Sequence, residues 1–133
     1  MMHMRTMQPG FSLTELMVYL MIVGILAGGI FGITKFIGRA RRSTTESVLR
    51  TVNSNIIMYR DDTGMYPNTL DDLAVNPGVK NWKGPYLDNG NPRDGWGEPI
   101  EYILKSQKGK DAYDLFSYGP NKEGSPEQEW IRA

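Results

Sequence analysis

The sequence predicts an α+β protein: one long N-terminal helix, with a membrane half and an amphipathic half, packed on a small antiparallel β-sheet with a loop-rich C-terminus. Three observations predict it. Residues 16–33 carry no charge and read Leu-Met-Val-Tyr-Leu-Met-Ile-Val-Gly-Ile-Leu-Ala-Gly-Gly-Ile-Phe-Gly-Ile, about 18 residues, near the minimum for a helix spanning a bilayer core. Residues 43–60 repeat apolar side chains at three- and four-residue spacing. Beyond residue 76, turn dipeptides and two β-favouring runs replace the helical pattern.

Composition narrows the function. The chain has 133 residues, room for one small domain beside the apolar segment. Its 15 Lys and Arg balance 15 Asp and Glu. No basic face is clustered for a nucleic-acid partner. Cysteine is absent, so disulfides are excluded, and a metal or oligomerisation is the remaining staple for so small a domain. The single histidine, His3, lies near the N-terminus, and no Walker-type phosphate loop occurs. Asp71 and Asp72 are adjacent, so on a helix they point in different directions and make no acid–base pair. The expectation is a protein that is not an enzyme.

Taken in order, residues 1–10 are too short to fold and end in Gly10. Phe11-Ser12-Leu13-Thr14-Glu15 leads into the apolar run. A carboxylate within such a segment costs at least about 2.5 kcal/mol, so Glu15 calls for a partner. Gly24, Gly28 and Gly32 stand at four-residue spacing, with Gly29 beside them, which lets helices approach closely. Lys35, Arg39, Arg41 and Arg42 follow the run, whereas only Arg5 precedes it. Charge bias alone would place the C-terminal side in the cytoplasm. A signal peptide cut near residues 27–29 is the competing reading, but the run is longer than such signals carry.

The amphipathic half places Leu49, Val52, Ile56 and Tyr59 inward, with Val48 beside them. Arg39, Arg41, Arg42, Glu46, Arg50 and Asn53 are expected to face water or neighbouring subunits. Gly64 caps the helix in the left-handed region. Residues 68–73 read as a short helix that Thr69 could cap, with Asp72 at its third position. Asn76-Pro77-Gly78, Gly84-Pro85, Asn89-Gly90 and Asp94-Gly95 mark turns. Trp96 is expected to pack the sheet onto the long helix. Residues 99–104 and 112–118 form an antiparallel hairpin around the polar turn at 106–110.

The N-terminal stretch resembles the class III signal of type IV pilins and type II secretion pseudopilins. In that family Gly is followed by Phe, with an acidic residue four positions after it, and here these are Gly10, Phe11 and Glu15. The resemblance implies cleavage between Gly10 and Phe11 by a prepilin peptidase and N-methylation of Phe11. It also implies that Glu15 neutralises the amino terminus of a neighbouring subunit during assembly. On this basis the chain divides into a leader at 1–10, a transmembrane and assembly helix at 11–36, and a periplasmic pilin-like domain at 37–133. The leader would lie in the cytoplasm, against the charge bias, because the peptidase must reach Gly10 from that side.

Further matches point within the family. Asp94-Gly95-Trp96-Gly97 resembles the Asp-Pro-Trp-Gly signature of major pseudopilins, with Gly95 in place of proline. Asp114-Leu115-Phe116-Ser117-Tyr118-Gly119-Pro120-Asn121 resembles the strand and loop of the G-type major pseudopilin. That resemblance implies a calcium site whose ligands fall on Tyr118, Asn121, Gln128 and Glu129, the alternative being a solvated acidic loop held by Trp130. It further implies a homopolymer, a periplasmic filament that helps export folded exoproteins. Its partners would be minor pseudopilins and an inner-membrane assembly platform, with no nucleic acid. A type IV or competence pilin, and a minor pseudopilin or anchored binding module, are the competing classes.

Overall fold

The computed structural model describes residues 10–133; the expected leader up to residue 9 lies outside the described residues, as do the side chains of residues 30–32 and 34, Gly32 among them. The chain forms two compact units, Met1–Ile37 and Gly38–Ala133. One helix, α1 (Leu13–Thr63), runs through both. No proline interrupts this stretch, so its backbone hydrogen bonds continue unbroken. It ends where expected: the Gly64 N–H donates to Arg60 O at 2.7 Å, with Gly64 at φ +81°. Among the described residues, no helix is long and apolar enough to cross a membrane. The uncharged run expected to do so includes residues 30–32, whose side chains lie outside the description.

In the second unit the buried stripe of α1 is the expected one: Leu49, Val52, Ile56 and Tyr59 are each at most 1% exposed. Thr45 continues that stripe one turn earlier and is also buried. Asn53 departs from expectation. It is half-buried because its Oδ1 accepts the Tyr113 hydroxyl at 2.7 Å.

The sheet holds β1 (Glu101–Leu104), β2 (Tyr113–Ser117) and β3 (Ile131–Arg132), all antiparallel in that order. Glu101 pairs with Phe116 and Leu104 with Tyr113, whereas Ser117 pairs with Ile131 on the other edge. The hairpin is shorter than the sequence suggests. Pro99 has no N–H for a ladder and instead makes an isolated bridge to Arg93. Strand β3 was not expected, since two residues are too few for any periodicity to register.

Between helix and sheet lies an aromatic layer. Tyr66 meets Tyr113 at 5.2 Å, and Tyr113 meets Tyr102 at 5.5 Å between ring centroids. The Tyr102 hydroxyl donates to Pro67 O at 2.7 Å. The expected short helix is a single 3-10 turn, Leu70–Leu73, which buries both leucines. Asp72 accepts the backbone N–H groups of Asn68 and Thr69 at 2.8 and 3.3 Å.

At the end of α1, Asp62 accepts Lys83 Nζ at 2.7 Å and the Tyr86 hydroxyl at 2.9 Å. These bonds, that of Lys83 first, hold its carboxyl below the usual carboxylate range. The folded carboxyl is therefore more acidic than the unfolded one. Its stabilisation is present above about pH 4 and is lost as pH falls through the lower folded value. Wild type should melt above Asp62→Asn at neutral pH, and the difference should shrink on acidification below about pH 4. A difference in melting temperature that stays constant down that range would remove Asp62 from the acid response.

Candidate functional site

The N-terminal site is built on the first turn of α1. Gly10, Phe11 and Ser12 precede the helix, and the Leu16 N–H donates to Ser12 O at 3.1 Å. Glu15 is thus the third helical residue, with its charge at the positive end of the helix dipole. Ser12 and Glu15 have the spacing of a capping box, a signal that the sequence reading passed over. The rings of Phe11 and Tyr19 meet edge to face at 6.4 Å.

Above this turn the apolar side chains of the helix stay exposed among the described residues. From Leu13 to Leu26 the large apolar side chains are between 48% (Ile22) and 73% (Leu13) exposed. Monomeric soluble proteins rarely present so continuous an apolar surface; such a surface belongs against lipid or other protein. Gly24, Gly28 and Gly29 have open space at their Cβ positions.

In the second unit the Asp94 turn meets the helix. Asp94 is buried, and its carboxylate accepts the Ser117 hydroxyl at 2.5 Å and the N–H groups of Trp96 and Glu98 at 2.8 and 3.0 Å. Ser117, also buried, accepts the Gly119 N–H at 3.0 Å. One node therefore links the turn before β1 with the end of β2. Gly95 extends the node to the helix: its N–H donates to Thr45 Oγ1 at 2.9 Å, and that hydroxyl donates to Arg41 O at 2.9 Å. A Cβ on Gly95 would lie 2.2 Å from Arg41 O. The position that resembles a family proline thus needs both an N–H and the absence of a side chain. Trp96 is half-buried against the core, but Gly95, not Trp96, makes this close approach to α1. Thr45 was missed by the sequence reading, although it falls in register with Leu49 and Val52.

The expected calcium ligands lie on the loop between β2 and β3. Asn121 Nδ2 donates to the Glu129 carboxylate, so these two are together. The Tyr118 carbonyl already accepts the Ser125 hydroxyl at 3.1 Å, and Gln128 is exposed. Of the two acids that could compensate, Glu127 is engaged by Arg132, whereas Glu123 stands exposed on the loop. Calcium takes six to eight oxygens, rich in carboxylate. The four expected residues supply one carboxylate, and among the described residues no three His, Cys, Asp or Glu gather as a metal group. The donor set does not fit a calcium centre.

Comparison with known proteins agrees with this architecture. Residues 32–131 match the family described as type II secretion system (T2SS), protein G, and residues 5–31 match the prokaryotic N-terminal methylation motif. The type II secretion system core protein G of Pseudomonas aeruginosa is 33% identical, over 94% of this chain and 93% of that protein. The core protein G of Xanthomonas campestris pv. campestris is 32% identical, over 92% of this chain and 84% of its own length. The crystal structure of the major pseudopilin from the type 2 secretion system of enterohaemorrhagic Escherichia coli superposes with a TM-score of 0.55 at 28% identity, covering 71% of this chain and 86% of that one. With its N-terminal methylation motif, its long helix on a three-stranded sheet and a family match over most of its length, the chain belongs to the type II secretion system protein G family, that of the major pseudopilin.

Proposed function

We propose that the chain is the major pseudopilin subunit of a type II protein secretion system. After cleavage between Gly10 and Phe11 and methylation of Phe11, many copies polymerise into a periplasmic pseudopilus that helps drive exoproteins outward. The observation that carries this reading is the helix with two surfaces. Its second half is buried against a G-type domain, whereas the apolar side chains of its first half are exposed among the described residues. Before assembly those side chains sit in the inner membrane, and afterwards they pack against other copies. The subunit is structural; it needs a surface, not a reaction site.

The same reading sets orientation and partners. The leader faces the cytoplasm, where a prepilin peptidase reaches Gly10, and the domain faces the periplasm. An inner-membrane assembly platform adds subunits, and minor pseudopilins share the filament. Type IV and competence pilins are not favoured, because the resemblance extends through the Asp94 turn and the loop after β2.

The intact mass of the membrane-extracted protein, with and without its prepilin peptidase, tests this. With the peptidase, the mass should correspond to loss of residues 1–10 plus one methyl group. Cross-linking in the same membranes should then give a homopolymer ladder. An uncut chain, or a cut within the apolar run, overturns the reading.

A further inference from the structure

The loop 118–130 must hold its shape without a disulfide, since the chain has no cysteine. Its two ends are joined by aromatic rings. Phe116, on β2, and Trp130, just before β3, stack face to face with centroids 4.5 Å apart and planes 5° apart. Tyr118 meets both edge-on, at 5.3 and 5.2 Å. The Arg132 guanidinium lies over the Trp130 ring, 5.6 Å from its centroid. Such stacks and cation–π contacts are favourable beyond the area they bury.

Hydrogen bonds carry the closure round the loop. Trp130 Nε1 donates to Ser125 O at 3.1 Å, and the Ser125 hydroxyl donates to Tyr118 O at 3.1 Å. Asn121 donates to the Glu129 carboxylate across the loop. Gly119 is at φ +75°, and a Cβ there would come within 3.2 Å of Glu129 O, so the two arms run close.

The charges point the same way. Lys122, next to Asn121, pairs with Glu98 at 2.8 Å, and Arg132 pairs with Glu127. Two carboxylates near the loop are thus already matched by cations that belong to the protein. Of the four expected residues, a divalent ion would gain one carboxylate, that of Glu129. Calcium affinity rises with the number of carboxylate ligands, so this arrangement works against binding.

We propose that the loop after β2 is closed by the Phe116–Trp130–Arg132 stack and its hydrogen bonds, in the place where the resemblance implies calcium, and that this member of the family folds independently of calcium. The proposal concerns the subunit's own fold. For the assembly proposed above, it means that subunits keep the loop in shape in calcium-poor surroundings.

Melting of the full-length chain in detergent tests this, with calcium chloride, with EGTA, and for Trp130→Ala and Trp130→Phe. Wild type should melt within about 1 °C in calcium and in EGTA, since a bound ion would raise the midpoint by mass action. Trp130→Ala should melt at least about 8 °C lower in both buffers, as expected for losing a stacked aromatic in a domain of this size. Trp130→Phe keeps the stack, loses the Nε1 donor, and should fall in between. A rise of several degrees in calcium that Glu129→Gln abolishes would overturn the proposal. So would a Trp130→Phe or Trp130→Ala chain that melts with wild type.

Discussion

Replacing Gly95 with alanine is expected to destabilise the second unit by roughly 3 kcal/mol, the upper range for forcing extra volume into a packed site. The new Cβ would sit 2.2 Å from Arg41 O, and the atoms it meets are backbone atoms of α1. A flexible side chain could move aside; a helix carbonyl cannot move without disturbing the turn it belongs to. The Thr45 hydroxyl and Gly95 N–H would separate with it, leaving the half-buried Gly95 N–H without its acceptor. Gly95→Pro should be worse still, because proline also removes the N–H. Gly78 supplies the control. It stands at φ +90° with no atom within 4 Å of its Cβ position, so alanine there meets only backbone strain. That strain costs roughly 1–2 kcal/mol. Denaturant melts of the full-length chain in detergent should therefore rank Gly95→Ala clearly below Gly78→Ala. Equal losses would mean that the close approach at Arg41 is not what restricts position 95.

Glu15→Ala should leave cleavage at Gly10–Phe11 and the fold of the second unit intact, yet reduce homopolymer by at least tenfold. A carboxylate among apolar side chains is costly alone, and in the proposed assembly a neighbouring subunit's positive amino terminus would offset that cost. Removing one partner leaves the other charge buried and unmatched, which costs several kcal/mol, and each 1.4 kcal/mol is about a factor of ten in association. Glu15→Gln separates two roles. Glutamine fills the third position of a capping box as well as glutamate does, but carries no charge. If charge pairing is the function, Gln behaves like Ala in cross-linking. If helix capping is the function, Gln behaves like wild type, and the pairing argument fails.

Much of the architecture was legible along the chain. The stripe Leu49, Val52, Ile56 and Tyr59 was readable because helical periodicity is a property of neighbouring residues, and all four are buried. The cap at Gly64 was readable for the same reason. The hairpin was readable in place but not in extent, because the loss of a ladder at Pro99 depends on what the backbone pairs with. Asn53 is expected from its helical position to face water or a neighbouring subunit, whereas Tyr113, 60 residues away, draws it inward. The calcium ligand set was carried over position by position, and such a transfer cannot see that Lys122 pairs with Glu98 and Arg132 with Glu127.

By itself the sequence determined the long helix, its apolar and amphipathic halves, the Gly10–Phe11–Glu15 motif and the secretion family, since each is written in contiguous residues. Only the tertiary structure decided that Gly95 docks on Thr45, 50 residues away, that Asp94 is buried against Ser117, and that a two-residue strand closes the sheet. The physical reason is separation along the chain. A hydrogen bond or close approach between distant segments leaves no period and no local motif, and it exists only once the fold brings its two halves together.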